Sequence, residues 1–536
     1  MLLLLLTAFR AAAQEEEILR AARFLSGAAS EEEVDEDWIT RLEALGGRLI
    51  RLNSAHPRAD GLLTDYQLAS LADYRSRAGD ILSWEELALV DGFSHEWVAA
   101  MKPFLSLASN RLPGVTDTVR LRANTLVRST LKNLGLKTRL GAEHWRAGAA
   151  WRTGDGTFFA EGNWRGHRLV LGDYNLRLGQ GLALWSGFSM ESLSTVDAFL
   201  RRTTGLTPVW SYSSASVHRG AAYQYASTHW RGYAFASLNG TFGGHLDWLG
   251  RQGQAGLSAA WDGGLLLSAD TRWNLRGTDY AAEVALRKGS PAALLAVRRS
   301  SGKLKWALHG RFLPSRYSGK KYGEYALAAG AAYKSGKWSA LAGQTGFGSS
   351  VPTHQASLTV DAALLPVPLT APGRLQIRLW GGWQWQAAPE CNLDVRLTGR
   401  YRNYEAPRTA LRGTFGFSQP PFLAAFRIEA VHCEQFGWLS YLEGGYKNAK
   451  VAAYLRLTGF FAEQWACRIW CYERDAPGTF SVPAYSGRGC TLSLMGSWKH
   501  RFGRRLTLKA YLRAGWMLRI GHMPAPTLNF QLNCDL

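Results

Sequence analysis

From about residue 117 to the end of the chain, apolar and polar residues alternate. Residues 504–518 show it best. Leu506, Leu508, Ala510, Leu512, Ala514, Trp516 and Leu518 hold one parity, and Thr507, Lys509, Tyr511, Arg513 and Gly515 hold the other. A period of two sends these sets to opposite faces of an extended strand, so one face can meet hydrocarbon and the other water. The same rhythm runs through Leu375, Ile377, Leu379, Gly381 and Trp383 against Arg374, Gln376, Arg378 and Gln384. It returns in Leu393, Val395 and Leu397 against Asp394, Arg396, Thr398 and Arg400, and in Val451, Ala453, Leu455 and Leu457 against Tyr454, Arg456 and Thr458. Asp262-Gly263-Gly264, Lys288-Gly289-Ser290 and Ser335-Gly336-Lys337 read as turns between strands.

Ahead of this region the period changes. Leu19, Ala22 and Leu25, then Trp38, Leu42 and Leu45, then Leu68, Leu71 and Tyr74 keep helical spacing. Thr64 caps a helix over 65–78, Ser83 with Glu86 has capping-box spacing, and Ser94 caps a helix over 95–104. Residues 30–37 are an acidic linker or helix start. Residues 1–13, MLLLLLTAFRAAA, read as a short export signal without the usual basic start. The division is therefore a signal over 1–13, an all-α domain over 14–107, a linker over 108–116 and strands over 117–536.

Composition decides what the strands enclose. Trp supplies 22 of the 64 aromatic residues, and rings with an apolar body and a polar tip gather at membrane interfaces. No run of 18 apolar residues exists, which excludes a spanning helix and leaves a barrel open. A soluble sandwich also alternates, but strands this numerous and this rich in Trp exceed what sandwiches hold. The fold expected is an all-β transmembrane barrel of about 20–26 antiparallel strands behind a small helical domain.

Charge is split. Of a net +20, residues 1–110 hold 10 Lys and Arg against 18 Asp and Glu, leaving 52 against 24 for the rest. An acidic front thus precedes a basic barrel. Arg120, Arg122, Arg374, Arg378, Arg396, Arg400, Arg456, Lys509 and Arg513 occupy the polar parity and are expected to face the lumen.

Two stretches invite chemistry. Gly172, Asp173, Tyr174, Gly179, Gln180 and Gly181 lie in LGDYNLRLGQG; with no βαβ context, these glycines read as a bulge or close backbone approach and not as a phosphate loop. Residues 189–214 break the strand rhythm, with helical patches over 192–202, and form either a lumen insert or an exposed loop. Cys467 and Cys471, four apart, would share a strand face; the six cysteines are inert wall residues or, alternatively, include a disulfide. The scattered His residues fall into no nucleophile–base pattern. No catalytic, cofactor-binding or metal-ligating set is identified, and no enzyme is expected.

The order Leu52-Asn53-Ser54-Ala55, Gly61-Leu62-Leu63-Thr64, Tyr74-Arg75, Leu82-Ser83, Val90-Asp91-Gly92-Phe93 and Lys102-Pro103-Phe104-Leu105 resembles tandem helix-hairpin-helix repeats of competence-type DNA receptors, the ComEA type. The resemblance implies hairpin contacts, with DNA or protein, through Gly61, Leu62, Leu63, Thr64, Gly92, Phe93 and Ser94. Both hairpins keep the first Gly and lose the second, and the surrounding charge is acidic, which opposes phosphate contact. Residues 473–489, ERDAPGTFSVPAYSGRG, together with the GDYxLxxGQG stretch, resemble a group of Bacteroidetes outer-membrane proteins that pair such a front with a large barrel. That resemblance implies an outer-membrane location with the helical domain in the periplasm. The expected role is a channel or transport component whose helical domain plugs, gates or docks a partner; the alternative is DNA uptake. Expected partners are outer-membrane lipid, a periplasmic protein, or DNA or another polyanion, with no small-molecule cofactor.

Overall fold

Alternation over this many segments has one low-energy outcome in lipid. Each backbone N–H and C=O must find a strand partner, so the sheet must close. In the computed structural model it does. The structure describes residues 17–45, 48–54, 57, 59, 61–108, 122–130, 133–142, 144–187, 193–319, 323–336, 353–365, 374–388, 390–448, 450–477, 481–502 and 506–535. The export signal, Arg120 and nearly all of the linker lie outside them.

The wall is a closed ring of 24 strands, antiparallel throughout. Arg122–Thr130 is the first, and it pairs with the last, Ala525–Asp535, along a seam running from Asn529 opposite Thr130 to Asp535 opposite Asn124. Both ends of the barrel chain therefore lie at one rim. At that rim tight turns join neighbouring strands, as at Gly277 and Gly302. From the opposite rim two long segments, within 178–217 and 463–486, fold back inside. A short strand of the first, Gly205–Pro208, pairs with the inner tail of His167–Arg177.

The outward parity is apolar and banded. Leu257, Val284, Leu295, Leu327, Ile428, Leu442 and Leu457 are each more than half exposed along the middle. Trp145, Trp164, Trp230, Trp248 and Trp498 stand near the rim with the chain ends, and Trp151, Trp261, Trp438 and Trp516 near the other. An apolar belt between two aromatic girdles is the signature of an outer-membrane barrel, and lipid is its partner. No helix among the described residues is long and apolar enough to cross a membrane.

The helical domain has its own core. Trp38, Leu42, Leu52, Leu62, Leu71, Leu87 and Met101 are almost fully buried together, each contributing roughly 1.5–3 kcal/mol. Asp65–Ala78 starts at a Thr64 capping box, and Trp84–Leu89 at a Ser83 capping box closed by Glu86. Ser94 caps His95–Met101, after which Lys102–Phe104 tightens to a 3-10 turn ahead of the last predicted residues. The domain is not purely helical. Ile50–Arg51 and Leu105–Ser106 form a small parallel pair that ties its entry to its exit.

Two further expectations need correction. Of the helical patches over 192–202, among the described residues only Val196–Phe199 forms, as a 3-10 turn. Cys467 and Cys471 share no strand face: Cys467 closes the turn Trp465–Cys467, and Cys471 follows the short strand Ile469–Trp470 inside the barrel. All six cysteines are free thiols.

Candidate functional site

The acidic run at 30–37 is both a turn and a helix start. Glu31–Glu33 makes a 3-10 turn, and Asp35 caps Glu36–Ala44 by accepting from the Asp37 backbone N–H. Carboxylates gathered at a helix N-terminus suit its dipole. They also lie in the basic lumen.

Glu32 is the hub. It takes Nη1 of Arg412 at 3.0 Å and Nη1 of Arg427, and accepts from the Tyr472 backbone N–H at 3.2 Å. One carboxylate thus joins the helical domain, two wall strands and an inward segment. Burial pushes its pKa up, but the two guanidiniums outweigh burial and hold the carboxyl well below the usual range. Across the lumen, Arg177 Nη1 lies 3.4 Å from Asp35 and 3.1 Å from Asp37, with Arg41 binding Asp37 at 2.7 Å. Here burial wins at one of the two acids. Desolvation lifts Asp35 to about 6 against the opposing charge of Arg177, whereas Arg41 and Arg177 overcome burial at Asp37 and lower it.

The later helices sit nearer the rim with the chain ends. Asp65 binds Arg231 Nε at 3.4 Å and accepts from the Tyr233 hydroxyl. Tyr66 donates to the Arg251 carbonyl at 2.7 Å, and Glu96 takes Lys305 at 2.7 Å. Arg177 and Arg231 flank a single wall strand, Lys305 lies several strands further round, and Arg412 and Arg427 stand on adjacent strands across the ring, so the domain is gripped from three sectors of the circumference. A cavity of about 790 Å³ remains between domain and wall, lined in part by Trp97, Arg298, Lys305, Arg396 and Arg412.

The inward segments are locked the same way. Arg513 binds Glu473 and, at 2.7 Å, Asp475; Arg456 binds Glu443 at 2.6 Å and donates to the Tyr472 carbonyl at 2.6 Å. Arg128 reaches the Pro477 carbonyl at 3.0 Å. In the other segment, Thr195 hydrogen-bonds the Gly27 carbonyl, and Arg202 binds Gln67 at 2.7 Å.

Arg120 aside, which lies outside the described residues, the residues singled out from the sequence have these places. Arg378 lines a cavity with Arg177, Asp361 and Trp38; Arg396 pairs with Asp394 at 2.6 Å; Arg400 lies 3.7 Å from Glu405; Lys509 lies 3.2 Å from Asp535; Arg374 stacks 4.6 Å over Tyr404. Arg122 begins the first strand. In the GDYxLxxGQG stretch, Asp173 is fully buried, binds Arg219 at 2.7 Å and accepts from the Phe158 amide. Tyr174 donates to the Ala236 carbonyl at 3.1 Å. The turn at Gly179-Gln180-Gly181 does form an anion-holding nest, but its occupant is the chain's own Glu283, bound by the amides of Gln180, Leu182 and Ala183 at 2.7–3.0 Å.

The first hairpin faces inward. Gly61 takes φ +79° beside Arg41, Thr204 and Thr207 of the inward segment, Leu62 and Leu63 are buried, and the Thr64 hydroxyl is spent on its cap. That hairpin packs on the chain itself. The second hairpin keeps Gly92 and Ser94 exposed, with Phe93 buried edge-on to Trp97. The sequence reading did not name Glu32, Arg177, Arg231, Arg412 or Arg427. It also missed His245, Asp247 and Asp270, whose donor atoms lie within 4.8 Å of one another. A His-x-Asp pair on one strand face was the signal for the first two.

No family model matches the chain, and no curated protein matches it. Among solved structures it is similar to a chain of the E. coli P pilus tip assembly intermediate PapC-PapD-PapK-PapG, at 9% identity and a TM-score of 0.46, over 79% of this chain and 62% of that one. It is similar to OccK5 (OpdH) of Pseudomonas aeruginosa at 8% identity and a TM-score of 0.29, over 78% of this chain and 96% of that one. For OprD of the same organism the values are 8%, 0.28, 78% and 93%. The likeness is one of barrel architecture alone.

Proposed function

We propose that the chain is an outer-membrane transport component whose lumen is closed by its own helical domain, with the rim carrying the chain ends and tight turns on the periplasmic side. One observation carries the reading: Glu32, Asp35, Asp37, Asp65 and Glu96 of the domain meet cations from three sectors of the ring, Asp35 and Asp37 sharing Arg177. A domain held this way fills the passage instead of hanging beside it. Held by charge, it is also releasable, because ions that part as the domain withdraws regain the hydration that burial had cost them, which an apolar face does not. The helix-hairpin-helix resemblance fits a scaffold that docks on the barrel and, through the exposed Gly92–Ser94 turn, on a periplasmic protein.

Conductance in planar bilayers tests this directly. The full chain should give small, infrequent openings, and a chain lacking residues 17–107 large, steady ones. Equal conductance from the two would overturn the plug. A heat-modifiable gel shift in both proteins shows that each barrel is folded.

A further inference from the structure

Three neighbouring strands bring His245, Asp247 and Asp270 to one spot on the inner wall. Asp247 of Phe242–Leu249 stands opposite Gly256, which stands opposite Asp270 of Leu265–Leu275. Their row runs on to Arg231 on one side and Glu283 on the other, so it sets three carboxylates against one guanidinium. Glu283 is already committed to the backbone amides of the 180–183 turn, and Arg231 is shared with Asp65. Asp247 has only the neighbouring His245, whose Nε2 lies 2.9 Å from its Oδ2, and Asp270 has no such compensation. Asp270 is 5% exposed, and neither of its oxygens has a hydrogen-bond partner among the described residues; the same holds for Oδ1 of Asp247, which is 3% exposed. Leaving a buried carboxylate without donors is costly, so a group that supplies positive charge belongs there.

The space between the two acids is kept clear. A Cβ on Gly256 would lie 2.6 Å from Oδ1 of Asp247, 2.6 Å from Oδ1 of Asp270 and 2.6 Å from Cε1 of His245. Any other residue in that row would fill the point on which the three side chains converge. His245 is oriented for ligation. Its Nδ1 lies 2.8 Å from the Ser258 hydroxyl, and with the proton on Nδ1, Nε2 offers a lone pair 2.9 Å from Asp247. A hydrogen bond of this kind, on the ring nitrogen turned away from the ion, fixes the tautomer that binds a metal.

We propose that His245, Asp247 and Asp270 bind one divalent transition-metal ion on the lumen wall, with Zn²⁺ the best match to one imidazole and two carboxylates. The two acids neutralise the ion, the ion removes their mutual repulsion, and a fourth position stays open to water or to a passing ligand.

The test uses the untagged full-length chain folded in detergent, stripped with chelator and titrated with ZnCl₂. One Zn²⁺ per chain should be retained after dialysis. Asp247→Asn, Asp270→Asn and Gly256→Ala should each weaken binding by about tenfold or more, while Asp262→Asn, in a distant turn, should not. Heat-modifiable mobility verifies that each variant is folded. Should the variants fail to fold, Co²⁺ added to the wild-type chain still reads the site, through a ligand-field absorption that Zn²⁺ competes away. If the stripped wild-type chain takes up no Zn²⁺ and shows no Co²⁺ band, or if all three variants bind as the wild type does, the proposal fails and the two aspartates instead share a proton.

Discussion

The two faces of the barrel wall are built from the same strands by opposite rules. On the outside, Leu442, Leu457 and Ile428 meet lipid, and what counts is area: one aliphatic side chain serves about as well as another. On the inside, Arg427 is 3% exposed and satisfies Glu32, Glu429 and the Trp470 carbonyl at once. There what counts is the identity of each partner. The outer face therefore tolerates exchange of like for like, and the inner face tolerates change only in matched sets.

The largest break in this contrast should come from Arg427→Met. It strands Glu32 and Glu429 without their best cation, and losing one partner of a buried pair costs about 3–5 kcal/mol. Urea unfolding of the detergent-folded barrel, followed by Trp fluorescence, reads the loss. Adding Glu32→Gln, Glu429→Gln and Arg412→Met, the last because Arg412 is the other cation both acids hold, should restore more than half of it, since that neutral set leaves no buried charge of the cluster unpaired. If the single variant costs no more than an exposed pair would, the inner face is not organised by partners.

On the outer face Leu442→Arg should cost about 2–4 kcal/mol in the same assay, since the belt's middle offers the charge nothing. Leu442→Ile should cost well under that. A large effect of the isoleucine would mean that the exterior, too, depends on particular residues.

How much of this could be read from the sequence follows the same division. Leu512, Trp516 and Leu518 share a parity with nothing to decode beyond it, so the barrel and its exterior were legible. The polar parity was legible as charge, with Arg456 and Arg513 in it. Their partners were not. Glu32 and Arg427 are 395 residues apart, and Arg128 and Gln531 403 apart; no local pattern links them. The first inward segment was visible only as a lapse in rhythm over 189–214 and the second not at all, because a chain folded against polar walls has no periodicity of its own. That is why Cys467 and Cys471 were given a strand face they lack.

A smaller effect separates two acids within the inner set. The Asp35 carboxyl titrates near 6 in the folded chain against 3.8 in a free one, so the folded state binds its proton more tightly. Stability drawn from that proton is complete below about pH 4 and is lost as pH rises to about 6. Asp35→Asn keeps the helix cap and removes the charge. Its stability relative to wild type should climb across that window, by at most about 3 kcal/mol, and level off above it. A flat difference between pH 4 and 7 would show that Arg177 fully compensates Asp35.

The grip on the helical domain has an electrical consequence. Every carboxylate that Glu32, Asp35, Asp37, Asp65 and Glu96 bring into the ring leaves with them when the domain withdraws, while Arg177, Arg231, Lys305, Arg412 and Arg427 stay behind. An opened passage would then be lined by a surplus of guanidinium and ammonium groups, which draws anions in and turns cations back. In a KCl gradient the reversal potential of the chain lacking residues 17–107 should sit on the chloride side of zero.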